Sequence, residues 1–395
     1  MNILIVTSDF PFAAIRHGGG RLTFNWVKHL SRNHRLSLVS FLRDGEQPHL
    51  EAAREWFSEI HAVPARRGWL SRARRLNLLW RQPYPVVACH SRRMLELVRD
   101  LSSSGRFDLV QFEYFQMGQY LPFVPAEVPR VLVYHDVVTP VLRQQIRIAR
   151  GLNKARIYRE WELTRYWEKW YAIWAGNALA LSLKDRRVID SWDVGIRTAV
   201  LPPLLDPELF RLERKPKRAG EILFIGALHR PVNQDAVRIL RDRILPAVRR
   251  RQPEARVVVI GAAPPAWLKS RPGEGFFVRG EVERIEPFLE KADVVSVPLR
   301  VAGGIIVKIL QALAAAAPVV ATRTANAGIG GKDGRDILLA DAPEAQAAHI
   351  ADLLDNPARA DALGAAGQAF IRRQFGRDKV ECAIDALYGS LAETG

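Results

Sequence analysis

Twice along this chain, short runs of β-branched apolar residues alternate with stretches of helical period, and a proline-bearing break separates the two series. The first series is NILIVT at the start, RLSLVSF, FDLVQFEY (107–114), RVLVYHD (130–136) and NALALSL (177–183). The second is EILFIGAL (221–228), ARVVVIGA (255–262), GFFVRG (275–280), ADVVSVPL (292–299), PVVATRT (318–324) and a short DILLAD (336–341). Strands apolar along their whole length are buried on both faces, and helices between them supply the crossovers of a parallel sheet. The texture changes at Leu201-Pro202-Pro203, and DPELFRLERKPKRAG (206–220) is polar and basic, which reads as a linker. At 395 residues the chain is too long for one ordinary domain and comfortable for two. The expectation is an α/β chain with domains over 1–205 and 221–375, a linker at 206–220, and a helical tail over 376–395 that packs back on the first domain. Long helices are expected over about 141–173 and 233–250.

Two cysteines, Cys89 and Cys382, lie far apart. They offer neither a disulfide scaffold nor a Cys-based zinc site, and a reducing compartment is the default. MNILIVTSDF has no basic leader and reads as a buried first strand rather than a signal peptide. No apolar run is long enough to span a bilayer. These features point to the cytoplasm. The formal charge of +16 attracts polyanions, and its distribution matters more than its sum. From Ala65 to Arg81 there are six arginines, two tryptophans and no acid. This stretch is either a solvated basic face, a nucleic-acid contact, or an anionic-membrane patch in which Trp69, Leu70, Leu76, Leu79 and Trp80 insert while arginines meet lipid phosphates. A similar blend recurs from Arg143 to Trp174. With no zinc finger, RRM signature or recognition helix, specific nucleic-acid binding is not expected.

Four segments carry residues suited to chemistry. In PFAAIRHGGGRLTFNW (11–26), Gly18 to Gly20 stand ahead of a helix. Glycine permits close ligand approach, and a helix N-terminus favours an anion. Arg16, His17 and Arg21 add positive charge. The spacing matches neither the dinucleotide-binding nor the P-loop fingerprint, and a plain glycine hinge is the alternative. In VLVYHDVVTP (131–140), His135 and Asp136 follow a strong strand. Adjacent side chains diverge, so they need not form a dyad. His135 is placed to bond a substrate hydroxyl or steady a leaving group, unless the neighbouring backbone satisfies it. Asp136 is better suited to orienting the loop, and Glu113 is a second strand-end carboxylate. In FIGALHRPVNQDA (224–236), a strand ends at Gly226, and Arg230 is placed to meet a phosphate. Asn233 could cap the helix. Last, Gly303 to Ala321 reads GGIIVKILQALAAAAPVVA. Gly303, Gly304 and Ile305 could offer backbone N–H donors, and Arg300 and Lys308 could bracket a diphosphate. A snorkelling lysine is the plain alternative for Lys308. Gln311 shares the Lys308 face and could bond a ribose hydroxyl, without a charge.

Together these elements resemble the retaining nucleotide-sugar glycosyltransferases of family four, and especially the bacterial cell-surface polysaccharide branch. The resemblance covers nearly the whole chain: GGGRLTFNW, QFEYFQMGQY and VYHD in the first half, then FIGALHRPVNQDAVRILRDRILPAVRRRQPEARVVVIG and ADVVSVPLRVAGGIIVKILQALAAAAPVVAT. It implies the GT-B fold, two Rossmann-like α/β domains facing across a deep cleft. It implies a nucleotide-diphosphate-sugar donor held mainly by the second domain, through Arg300, Gly303, Gly304, Ile305 and Gln311, with Gly19 and Gly20 closing over phosphates or sugar. His135, Arg230 and Lys308 then match the residues at the reacting centre. Arg16, His17, Arg21, Glu113 and Asp136 are acceptor-side candidates. It implies an acceptor that is a surface glycan, a lipid-linked intermediate or another glycoconjugate, and transfer that retains the anomeric configuration with no metal ion or cofactor. The cytoplasmic enzyme would meet the inner membrane face through region 65–81. Two positions depart from the family pattern. Its second glutamate falls at Gln311, and the glycine that ends the helix is Ala316. These departures bear on donor identity and on turnover. They keep an epimerase, a glycoside phosphorylase and a nucleotide-sugar-binding scaffold as alternatives.

Overall fold

The apolar runs do form strands, in two separate parallel sheets, and all but GFFVRG, an edge strand with Phe277 exposed, are buried along nearly their whole length. The computed structural model describes residues 1–12, 18–65, 81–216, 219–269 and 273–392. The chain divides into two compact units. One holds the first strand, Gly19–Leu204 and the chain from Val380; the other holds Leu205–Lys379.

In the first unit the strands are β1 (Asn2–Thr7), β2 (Arg35–Leu42), β3 (Glu59–Pro64), β4 (Leu109–Glu113), β5 (Arg130–Tyr134), β6 (Asn177–Ala180) and β7 (Arg197–Val200). They pair in the order β3-β2-β1-β4-β5-β6-β7, all parallel. The sequence did not announce β3 or β7. Both are edge strands with partly exposed side chains, so neither EIHAVP nor RTAV carries the apolar run that burial on two faces imposes. Helix α1 (Gly18–Leu30) follows β1. The helix expected over 141–173 is two helices, α2 (Val138–Ile148) and α3 (Gly151–Ala175). The break falls at Gly151, whose φ of 56° is left-handed. The acids of α3 defeat a simple stripe because one faces inward. Glu168 is fully buried and accepts from the backbone N–H groups of Val138 (2.5 Å) and Thr139 (3.2 Å), capping α2. Burial, reinforced by the charge of Asp136, pushes its carboxyl up to about 8 against the pull of those hydrogen bonds.

In the second unit the strands are β8 (Glu221–Ile225), β9 (Arg256–Ile260), β10 (Phe276–Gly280), β11 (Val294–Val297), β12 (Val319–Ala321) and β13 (Leu338–Leu339). Their order is β10-β9-β8-β11-β12-β13, again all parallel. Helix α4 (Pro231–Ile239) follows β8. It continues through a π turn over Leu240–Ile244 into Leu245–Arg249, so the π turn ends just before Pro246, a residue that cannot donate to the helix ladder. Helix α5 (Val307–Ala314) follows β11, and α6 (Pro357–Phe375) precedes the last helix, α7 (Arg377–Ala392). The segment from Asp206 onward is fastened to the second unit. The Arg214 guanidinium donates to the carbonyls of Ala316 and Ala292, and Lys215 N–H donates to Glu290 O at 2.9 Å.

Helix α5 ends in a Schellman motif. Ala317 N–H donates to Ala312 O (2.9 Å) and Ala316 N–H to Leu313 O (3.0 Å). Ala316 therefore sits at φ 54°, a left-handed conformation that favours glycine. Its methyl is tolerated by strain, not by a shift out of that region. Ala316→Gly should raise stability by about 0.5–1 kcal/mol, the relief of left-handed strain less the added freedom of the unfolded chain. Urea denaturation measures it, and a loss of stability would contradict the motif.

Candidate functional site

Each sheet has the same reversal of strand order. The chain runs outward from β1 to β3, then restarts at β4 beside β1; likewise from β8 to β10, then at β11 beside β8. In open α/β sheets the carboxyl ends of the strands flanking that reversal are where ligands bind. Both candidate clusters lie at such ends.

In the second unit, β8 runs into Gly226 and β11 into the loop that opens α5. Lys308 is the second residue of α5. Its ammonium is the enclosed part of a half-buried side chain. It donates to Asn233 Oδ1 at 2.8 Å and sits 4.3 Å from the centroid of the Phe224 ring. Gly226 makes this possible: an added Cβ there would lie 2.7 Å from Lys308 Nζ and 2.9 Å from Asn233 Cγ. Among the described residues no carboxylate forms an ion pair with this ammonium. Burial, then the neighbouring charge of Arg230, pulls it from 10.5 down to about 7. Arg230 is exposed at the start of α4. Asn233 does not cap that helix. Its amide donates to Ala227 O at 2.8 Å while its oxygen holds Lys308. The sequence left this positioning role unread.

The rest of the α5 region is mixed. No side chain caps α5, whose N-cap is Ile306; Ile309 N–H turns back to Ile306 O at 2.9 Å, and the N–H groups of Val307 and Lys308 lie at the positive end of the dipole, which favours an anion. Gly304 has a φ of 57°. Its carbonyl is approached so closely by Gly328 that an added Cβ there would lie 2.2 Å away. Gly303 borders this turn, and Ile305 is buried beside it. Gln311 is half-buried one turn along from Lys308. Arg300 is not a free cation. It is exposed and held in a two-pronged pair with Asp235, with Nε to Oδ2 at 2.8 Å, and that bond raises its already high pKa.

In the first unit the parallel register gathers polar side chains on one face. Glu113 is opposite Val133. His135 lies two residues beyond Val133, and Gln111 two before Glu113, so all share that face. His135 Nε2 lies 2.5 Å from Glu113 Oε2, with both side chains almost wholly buried. Gln111 Nε2 donates to Glu113 Oε1, also at 2.5 Å. A carboxylate only accepts, so the imidazole Nε2 carries the hydrogen of this bond. Tyr114, at a left-handed φ of 72°, stacks on the imidazole with ring centroids 3.9 Å apart. Thr23 Oγ1 lies 3.5 Å from Nε2. The other nitrogen, Nδ1, is buried without a hydrogen-bond partner among the described residues.

Gly18 to Gly20 are not a loop ahead of α1 but its first turn. Helix geometry accommodates them because the neighbours leave no room for a side chain at Gly19. A Cβ there would lie 2.8 Å from the Tyr114 hydroxyl oxygen and 3.5 Å from His135 Nδ1. Gly20 is buried and Arg21 half-buried behind it. Asp136 does not join His135; its charge acts on Glu168. Arg16 and His17 lie outside the described residues, as does nearly all of the basic-aromatic region 65–81. The Glu113–His135 pair was missed because it needs the strand register. The available signal was Gln111-x-Glu113, two polar residues at period two in an otherwise apolar strand. Among the described residues no three of His, Cys, Asp and Glu are grouped to hold a metal ion.

Residues 219–356 match the family model described as Glycosyl transferases group 1, which supports a GT-B glycosyltransferase. Solved structures align over the full chain. Sucrose-phosphate synthase of Thermosynechococcus elongatus covers 100% of this chain and 100% of its own, with a TM-score of 0.75 and 15% identity. TarM covers 99% and 98%, with a TM-score of 0.71 and 10% identity. Anabaena HepE, solved with UDP and glucose, covers 98% and 99%, with a TM-score of 0.66 and 14% identity. At these identities the likeness is one of fold, and that fold is the GT-B pair of Rossmann-like α/β domains. No curated protein sequence matches the chain.

Proposed function

We propose that the protein is a retaining glycosyltransferase that moves a sugar from a nucleotide-diphosphate-sugar to a surface-glycan, lipid-linked or other glycoconjugate acceptor. The observation that carries this reading is Lys308. An enclosed ammonium without a carboxylate, beside the cation of Arg230 and at an uncapped helix N-terminus, is a site awaiting a multiply charged anion. A leaving nucleoside diphosphate is such an anion, and its charge grows as the glycosidic bond breaks. Preorganised donors at that point stabilise the transition state more than the ground state. The matched family model spans these residues, and the HepE structure with UDP offers a nucleotide precedent on the same fold. Gly303, Gly304 and Ile305 would contribute backbone N–H groups, and Gln311 a neutral partner for the ribose. Arg300 would act through Asp235, shaping the α4 side of the site. In the first unit His135, set by Glu113, would meet the transferred sugar or the acceptor, with Gly19, Gly20, Arg21 and Asp136 around it.

The test is a binding screen of the protein against nucleotide-sugars, followed by product analysis with candidate acceptors and NMR of the new anomeric centre. Binding, transfer and a retained configuration, unchanged by EDTA, are expected. Absence of nucleotide-sugar binding overturns the reading. An epimerised nucleotide-sugar, or phosphorolysis of a glycoside, replaces it with the corresponding enzyme of the same fold. The uncharged Gln311 favours one further reading, a nucleotide-sugar-binding protein with little turnover, identified by tight binding without product.

The reading extends to peripheral attachment on an anionic membrane. No helix of the described residues is long and apolar enough to cross a bilayer. Yet where α2 meets α3, Leu152 is 91% and Ile148 48% exposed, with Arg147, Arg150 and Lys154 around them. Apolar tips ringed by cations suit an interface of lipid phosphates. Vesicles containing phosphatidylglycerol should sediment the protein, and Leu152→Asp should reduce the bound fraction several-fold. Equal binding to neutral vesicles, or an unchanged variant, would contradict this.

A further inference from the structure

We propose that Tyr388, on the last helix, is a positioning residue for His135: its hydroxyl holds the Gln111 amide, and through it the Glu113 carboxylate that orients the imidazole. The juxtaposition spans the chain. Helix α7 docks in the first unit against α1, where His29 lies between Glu381 (3.3 Å) and Asp385 (2.8 Å) and Arg32 reaches Glu381 at 3.3 Å. One turn beyond Asp385, Tyr388 is fully buried and its hydroxyl lies 2.5 Å from Gln111 Oε1.

The direction of each bond follows from what each group can do. The Glu113 carboxylate only accepts, so the end of the Gln111 amide that meets it is the NH2. The amide oxygen then faces Tyr388, and the phenol must donate. Burial, with the charge of Glu113, pushes the phenol further above its ordinary pKa, so the donor proton stays in place. Glu113 Oε1 is thus occupied by the amide, and Oε2 is the oxygen left for His135 Nε2–H. That sets the Nε2 edge of the ring on Glu113 and turns Nδ1 away from it. Among the described residues Nδ1 is buried without a partner, on the side facing the first turn of α1 at Gly19. Without the phenol the amide oxygen loses its buried donor, and the amide is held at its carboxylate end alone. Glu113 would then no longer hold a single orientation for the imidazole. Buried networks of this kind either specify one arrangement or fail as a unit.

The experiment uses the full-length chain labelled with 15N-histidine, with the His135 signals assigned by their loss in His135→Gln. In the wild type, Nε2 should carry a proton and give one sharp set of signals. In Tyr388→Phe, which keeps the ring, the His135 signals should shift and broaden as the imidazole loses its single orientation. Gln111→Leu should do the same, and the double variant should match Gln111→Leu alone, because both changes act through one chain of bonds. The kinetic part rests on the transferase reading: Tyr388→Phe should lower kcat about tenfold with donor KM unchanged. An unchanged 15N pattern in Tyr388→Phe overturns the proposal, as does additivity in the double variant. If Tyr388→Phe does not fold, Gln111→Leu decides by the same readout. A changed 15N pattern in a protein that transfers no sugar from any donor supports the relay and removes the transferase reading instead.

Discussion

Lys308→Met should abolish function without weakening the fold. Removing a donor aimed at developing charge costs roughly 10²–10³ in rate, and here the donor is also the centre of the proposed diphosphate site. The folded protein should lose little, because giving up the hydrogen bond to Asn233 is offset by removing an ammonium enclosed without a carboxylate. Replacing an uncompensated buried charge by an apolar chain of similar length is neutral or stabilising. The pH dependence follows from the depressed value of about 7 against 10.5 for the free side chain. Below about 7 the folded protein carries the enclosed charge and its full cost. Between about 7 and 10.5 the unfolded chain holds a proton that the folded one has shed, so stability rises with pH across that window. Lys308→Met should flatten this rise. A bound diphosphate reverses the preference by holding the proton on. Donor affinity should therefore fall from pH 7 to 9, with proton uptake on binding seen by calorimetry in two buffers of different ionisation enthalpy. Normal donor affinity in the variant, or binding that ignores pH, would sink the assignment.

Gly261→Ala should destroy the second unit. Gly261 has a φ of 152°, and an added Cβ would lie 1.8 Å from the carbonyl oxygen of Gly226 and 2.6 Å from its carbon. The obstacle is backbone, and the backbone is tied on both sides. Gly226 N–H donates to Ile260 O (2.9 Å), Leu228 N–H to Ala262 O (2.8 Å), and Gly261 N–H to Gly280 O (2.7 Å). Relief would require breaking the ladder at the strand ends that carry the lysine pocket. A loss of about 4 kcal/mol or more is expected, with nucleotide binding lost alongside because Gly226 borders Lys308 Nζ. Gly45→Ala is the comparison. It shares a positive φ, 88°, but meets nothing within 4 Å, so it should cost only about 1 kcal/mol of strain. Thermal denaturation of the two decides, and equal losses would show that close approach is not what Gly261 serves.

Much of the architecture could be read from the sequence because parallel strands buried on two faces have no polar positions to spare. The edge strands β3 and β7 could not, since one exposed face returns them to ordinary composition. Lys308 was legible because glycine turn, lysine and small-residue helix are contiguous. Asp235, which occupies Arg300, is 65 residues earlier in the chain and left no local mark. The Glu113–His135 pair sat between these extremes. Both residues were visible as strand ends, and only the register that sets Glu113 beside Val133 turns them toward each other. Tyr388 was beyond any local pattern, 277 residues from the amide it meets.

The return of α7 to the first unit also orders biosynthesis. The first sheet is complete once β7 has been made, but one buried amide oxygen on it has no protein donor until Tyr388 emerges from the ribosome. The second unit is an insertion, translated in its entirety before the first can close its polar face. Domains fold largely as units during synthesis. On a nascent chain, therefore, the second unit can mature first, while the polar chain from Gln111 to His135 waits for α7.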